Sequence, residues 1–169
     1  LTLSRQIQQV RELILTQEAP VVLVGSSFGG LTSAWLAEQP ALQERIEKLV
    51  LLAPAFEFLA QWLPRLSADQ LTNWQITGTI PVYHYSEQRT LPLHYGFIED
   101  LQQHTDTDLQ QMIPTLVLHG VHDDVISVEA SRRYAATRPW VKLVEVDSDH
   151  ALLDVEAGLW QQTKAFLDL

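Results

Sequence analysis

Gly25-Ser26-Ser27-Phe28-Gly29 constrains this chain more than any other stretch. It directly follows an apolar run, Val21-Val22-Leu23-Val24, and directly precedes a segment of helical character. G-x-S-x-G between a strand and a helix is a nucleophile elbow, a sharp turn that holds a serine hydroxyl above the end of a parallel sheet. Such a turn is crowded. Small residues on both sides of the serine are expected to let neighbouring backbone approach, and glycine tolerates dihedrals that other residues resist.

The rest of the chain supplies what an elbow needs. Leu3, Ile7, Val10 and Ile14 recur at helical spacing and place one apolar stripe on a helix. Residues 21–24 read as a short buried strand, and residues 28–38 as a helix stopped near Pro40. Residues 48–53 (KLVLLA) form a continuous apolar run, the signature of a strand buried on both faces. Residues 115–118 and 141–146 read as two further strands, with a helix capped by Ser127 between them. Leu152, Val155, Leu159 and Phe166 mark a closing helix. Strands alternating with helices predict an α/β fold, about four parallel strands with helices on both faces.

Residues 54–112 differ in texture and read as a cap inserted between two strands. Ser67 and Gln70 have capping-box spacing for a short helix. Residues 80–85 and 90–94 read as the arms of a hairpin turning at residues 86–89, with a proline in each arm that restricts pairing to an edge. Residues 95–103 read as another helix. Trp62, Trp74 and three tyrosines fall in this insert. They either cover a site as a lid or pack a small core of their own.

With 169 residues, 46% of them apolar, the chain is expected to form one domain with a substantial core. Its 11 basic and 21 acidic residues give a net charge of -10, so no nucleic-acid partner is expected. No apolar run is long enough to span a bilayer, so no membrane partner is expected either. The first residues do not resemble a signal peptide, which leaves the cytoplasm as the default compartment. Cysteine is absent, removing disulfides and thiolate nucleophiles from consideration.

A serine hydroxyl needs a neighbouring base to act as a nucleophile, and histidine, with an ordinary pKa of roughly 6.5, suits the task. The imidazole in turn needs a carboxylate to fix its tautomer. In an elbow hydrolase these follow in the order Ser, Asp, His. Here His119-Gly120-Val121-His122-Asp123-Asp124 follows the third predicted strand, and Asp147-Ser148-Asp149-His150 follows the fourth. On these three motifs the chain resembles the α/β-hydrolases, and more narrowly the small bacterial esterases among them.

The resemblance implies Ser27 as nucleophile, Asp123 as orienting acid and His150 as base, with the Phe28 backbone N–H as one oxyanion donor. Ser26 occupies the x position, and its side chain is expected to point away. Asp124 is expected to be a loop or capping carboxylate. His84, His94 and His104 are expected to be surface or hydrogen-bonded histidines, and His119 a structural one. His119, His122, Asp123 and Asp124 are suitable ligand types for zinc or manganese. The two histidines lack the helical i, i+4 spacing that would aim them together, so no metal and no cofactor is expected.

One part of the family pattern is missing. The loop that supplies a second oxyanion donor, and the strands that precede the elbow strand, have no counterpart here. The chain starts at Leu1 and is expected to be an N-terminally incomplete domain. The elbow strand would then lie at a sheet edge, an association hazard through which the chain could pair with itself or with a partner. The implied function is cleavage of small-molecule carboxylic esters or thioesters through an acyl-enzyme. A small-substrate peptidase or lactonase would use the same triad, and a non-catalytic α/β module would keep the elbow without the chemistry.

Overall fold

The short runs rich in valine and leucine form strands, and the periodic stretches between them form helices. A computed structural model describes residues 2–84 and 88–169. In chain order the elements are α1 (Leu3–Leu15), β1 (Val21–Ser26), α2 (Phe28–Ala37), β2 (Ile46–Leu52), α3 (Phe58–Trp62), α4 (Ala68–Thr77), β3 (Thr79–His84), β4 (Arg89–His94), α5 (Gly96–Leu101), β5 (Thr115–Gly120), α6 (Val128–Ala136), β6 (Val141–Val146) and α7 (Glu156–Leu167). The main sheet is parallel throughout, in the order β1-β2-β5-β6. β3 and β4 form a separate antiparallel hairpin.

Successive side chains of a strand point to opposite faces. Leu49, Leu51 and Val117 therefore join one core with Ile7 of α1, Leu31 and Ala34 of α2, and Tyr134 of α6. Val50, Leu116 and Leu118 join another, with Leu159 and Phe166 of α7. Full burial of one such side chain contributes about 1.5–3 kcal/mol, so β2 and β5, covered on both faces, anchor the fold.

The expectation that residues 21–24 form a buried strand is corrected. β1 lies at the sheet edge with β2 on one side only, and Val22 and Val24 are 37% and 61% exposed. An apolar run identifies a strand but does not report how many neighbours it has. The closing helix also starts later than expected. Leu152 takes a left-handed conformation (φ 58°) and α7 begins at Glu156, yet Leu152 and Val155 still pack against the α7 core.

Between β2 and β5 the chain forms the cap. Ser67 and Gln70 make the capping box: the Gln70 N–H donates to Ser67 Oγ at 3.1 Å and the Ser67 N–H to Gln70 Oε1 at 2.8 Å. In the hairpin Pro81 faces Pro92, two residues without a donor for the ladder. The turn expected around residues 86–89 lies largely outside the described residues. The Trp74 indole is fully buried and donates to the Leu93 carbonyl at 2.9 Å, fixing α4 on β4. It meets Trp62 and Tyr95 edge-on. The insert thus has an aromatic core of its own. The same cluster runs on through Phe97 and Phe58 to Phe28, the residue after Ser27. Among the described residues no helix is long and apolar enough to cross a membrane.

Candidate active site

Ser27 joins β1 to α2 at φ 51°, ψ -118°. A non-glycine residue held at positive φ costs on the order of 1–3 kcal/mol and persists only where its surroundings fix it. Here the Ser27 N–H donates to the Leu52 carbonyl at 2.8 Å, and the Ser27 carbonyl accepts from the N–H groups of Gly30, Leu31 and Ala55. The crowding expected on both sides of the serine holds at Gly25, but on the other side it falls on Gly30 and not on Gly29 of the motif. A Cβ on Gly25 would lie 2.4 Å from the Gly29 carbonyl oxygen, and one on Gly30 would lie 2.9 Å from Pro54 Cβ. A Cβ on Gly29 would meet nothing within 4 Å.

Asp123 and His150 come from the loops after β5 and β6. Gly120 lets those loops touch, since a Cβ there would sit 2.3 Å from the Ser148 carbonyl oxygen. Asp123 Oδ1 accepts from the backbone N–H groups of Val125 and Ile126 at 2.9 and 2.8 Å. In the His150 loop, Asp149 Oδ1 accepts from the Ala151 N–H at 2.9 Å.

The three residues meet. His150 Nδ1 lies 2.7 Å from Asp123 Oδ2, and His150 Nε2 lies 3.0 Å from Ser27 Oγ. An ionised carboxylate only accepts, so Nδ1 carries the proton and Nε2 is free to accept from the serine hydroxyl. The Asp123 side chain is wholly buried, whereas that of His150 is 23% exposed. Phe28 is the first residue of α2, so its N–H has no intrahelical acceptor.

The other candidates lie elsewhere. Ser26 is exposed at the end of β1. Asp124 is exposed, and its carbonyl accepts from Arg65 at 2.8 Å. His122 makes a surface pair with Asp147 at 2.8 Å while His119 is buried, so the two diverge rather than share a ligand. His104 Nδ1 bonds the Asp100 carbonyl and its ring packs edge-on against Trp35. His94 is exposed on β4. The His84 side chain lies outside what the structure describes. Among the described residues no group of three or more His, Cys, Asp or Glu could hold a metal ion.

Two cap residues with no motif reach the acid loop. Arg65 donates to the carbonyls of Asp124 and Val125 at 2.8 and 2.9 Å. The Gln61 side chain accepts the Ser127 N–H at 2.6 Å and donates to the Phe56 carbonyl at 2.9 Å. The two ends of the cap are also tied together. The N–H of Glu57, a left-handed residue (φ 54°), donates to Asp106 Oδ2 at 2.5 Å, and the Glu57 carboxylate pairs with Arg133 of α6. Burial raises the Asp106 carboxyl from 3.8 to about 6. Leu31, Phe58, Leu59 and Leu101 line a cavity of about 340 Å³ under the cap, and Ser27 is not among its lining residues.

This strand order, with a strained serine turn after one strand and an acid and a histidine after two others, is the core of an α/β-hydrolase fold. The chain belongs to the uncharacterised protein family UPF0227, whose profile matches residues 1–168. No curated protein matches it significantly. Solved structures do. A hydrolase from Agrobacterium vitis S4 superposes with a TM-score of 0.83 at 21% identity, covering 98% of this chain and 69% of that one. Mouse alpha/beta hydrolase domain-containing protein 10 gives 0.78 at 21% identity, covering 99% and 70%. Paleococcus ferrophilus monoacylglycerol lipase gives 0.75 at 14% identity, covering 99% and 76%. Identities this low establish the fold alone.

Proposed function

We propose that this chain is a serine hydrolase that cleaves carboxylic esters or thioesters of modest size. The continuous hydrogen-bonded line from Ser27 Oγ through His150 to Asp123 carries this reading. His150 Nε2 takes the Ser27 proton as Oγ attacks the acyl carbon, and the Phe28 N–H faces the developing oxyanion. His150 then protonates the departing alcohol or thiol, leaving an acyl-serine. Water, deprotonated by His150, releases the acid and restores the serine. Asp123 holds the ring and stabilises its imidazolium without taking the proton itself.

A fluorophosphonate probe tests the reading. Labelling of the folded protein, abolished in Ser27→Ala, is expected; a folded protein that takes no label is a non-catalytic module. A series of p-nitrophenyl esters, acyl thioesters, lactones and small peptides then separates the esterase from a lactonase or peptidase with the same triad. The open edge of β1 also supports self-association by strand pairing. Sedimentation at several concentrations checks it, and a monomer throughout would remove it.

A further inference from the structure

His119 closes β5 with its side chain completely buried. A polar ring in that position needs partners, and it has three. Nδ1 lies 2.8 Å from Ser131 Oγ on α6, and Nε2 lies 3.0 Å from the Ile126 carbonyl and 3.1 Å from Asp123 Oδ2. Those partners decide where the proton sits. A carbonyl and a carboxylate only accept, so Nε2 must carry the hydrogen. Burial holds the His119 pKa below its ordinary value, which leaves a neutral ring with a single proton. Nδ1 is then bare and accepts from the Ser131 hydroxyl.

Asp123 consequently receives four donors. Two backbone N–H groups reach Oδ1, and two imidazole N–H groups, from His150 and His119, reach Oδ2. Four fills the acceptor capacity of a carboxylate. With the side chain wholly buried, water has no access to replace a lost donor. We infer that His119 is a positioning residue for the triad: its Nε2–H, aimed by Ser131, holds Asp123 Oδ2 toward His150 Nδ1 and takes a share of the carboxylate's charge. The inference rests on the roles proposed above for Ser27, His150 and Asp123. The charged groups that face His119 are Asp123, His150 and, from β6, Glu145, which is paired with Arg132 of α6.

Removing this donor leaves the charge of Oδ2 to His150 alone. The His150–Asp123 pair then takes up a proton at higher pH, and the protonated, inactive form persists further up the pH scale. For His119→Leu the acid limb of kcat/KM toward p-nitrophenyl acetate is expected to rise by about one pH unit. Below that limb the rate constant then falls about tenfold. His119→Gln, which offers an amide N–H near the position of Nε2, is expected to restore most of the limb. Ser131→Ala is expected to shift it the same way by less, and it serves where the leucine variant does not fold. An acid limb that stays in place in the folded variants overturns the inference, whatever happens to their melting temperatures. A readout independent of activity comes from ¹⁵N shifts of the imidazole rings. His119 is expected as the Nε2–H tautomer, and an Nδ1–H tautomer overturns the inference in a protein of any activity. A wild-type protein that hydrolyses no ester breaks the proposed function instead, and the tautomer measurement still decides on His119.

Discussion

Ser27 and Asp123 leave strands of opposite character. β1, which carries the serine, pairs on one side only and alternates between covered and exposed positions, with Gly25 alone fully buried. β5, which leads to the acid, is buried at every position and paired on both sides. The serine is held by its own turn and one neighbouring strand: Gly30 and Leu31 donate to its carbonyl from α2, Ala55 donates from just after β2, its N–H donates to Leu52, and Gly25 makes a close approach. The acid is held by a network that draws on two loops, the end of β5 and, through Gln61 and Arg65, the cap. A strained serine is one residue in one place, and its turn and the end of one neighbouring strand suffice to set it. A buried carboxylate needs several donors at once, and here its own loop, the His150 loop and the end of β5 each supply some of them.

The largest effects should come from the chemical line itself. Ser27→Ala is expected to remove ester hydrolysis by a factor on the order of 10⁶. Asp123→Asn, which keeps the shape but inverts a hydrogen-bonding role, is expected to lower kcat by about 10⁴. Steady-state kinetics with circular dichroism as the folding control measures both, and an asparagine variant within tenfold of wild type would break the triad assignment.

Next come the strands. Leu118→Ala in β5 is expected to cost about 2–5 kcal/mol in urea unfolding, whereas Val24→Ala in β1 should stay within about 0.5 kcal/mol. Similar losses at both positions would mean that β1 is covered in solution. Asp106 sharpens the picture at the base of the cap. Its folded-state pKa of about 6 lies above the ordinary 3.8, so the native state binds this proton more readily than the unfolded chain does. That contribution is fully present below about pH 4 and is lost as pH rises through 6. Asp106→Asn keeps an acceptor for the Glu57 N–H and cannot ionise. It is expected to be more stable than wild type at pH 7 by up to about 3 kcal/mol, a gain that closes toward pH 4. Unfolding midpoints across pH 4 to 8 test it, and a gain independent of pH would count against it.

The smallest effect separates two glycines of one motif. Gly25→Ala is expected to destabilise by about 1–3 kcal/mol because its Cβ has no room. Gly29→Ala should be neutral or stabilising by up to about 1 kcal/mol, since the position is open and helical. A clear loss at Gly29 would show that something packs there.

What could be read from the sequence follows the same division. Ser27, Asp123 and His150 each sit within five residues of a strand end, so short motifs and chain order sufficed to nominate them. The four strands and the capping box at Ser67 announce themselves through local pattern as well. The exposure of β1 is a property of its neighbours, and no run of four apolar residues encodes it. Gln61 and Arg65 reach the acid loop across about 60 residues of chain and carry no signature. His119 stood in plain view at a strand end, but its bond to Asp123 depends on how far the loop after Gly120 turns back.

The edge position of β1 also shapes how this strand breathes. In a parallel ladder the N–H groups of alternate residues point to alternate sides. Val21 and Ser27 donate toward β2, so the amides of Val22, Val24 and Ser26 face away from it. Deuterium uptake should therefore alternate along a single strand, rapid at the even-numbered amides and slow at Leu23 and Gly25, while β5 resists exchange along its whole length. The strand that carries Ser27 is half solvent-exchanged even while the turn above it stays fixed.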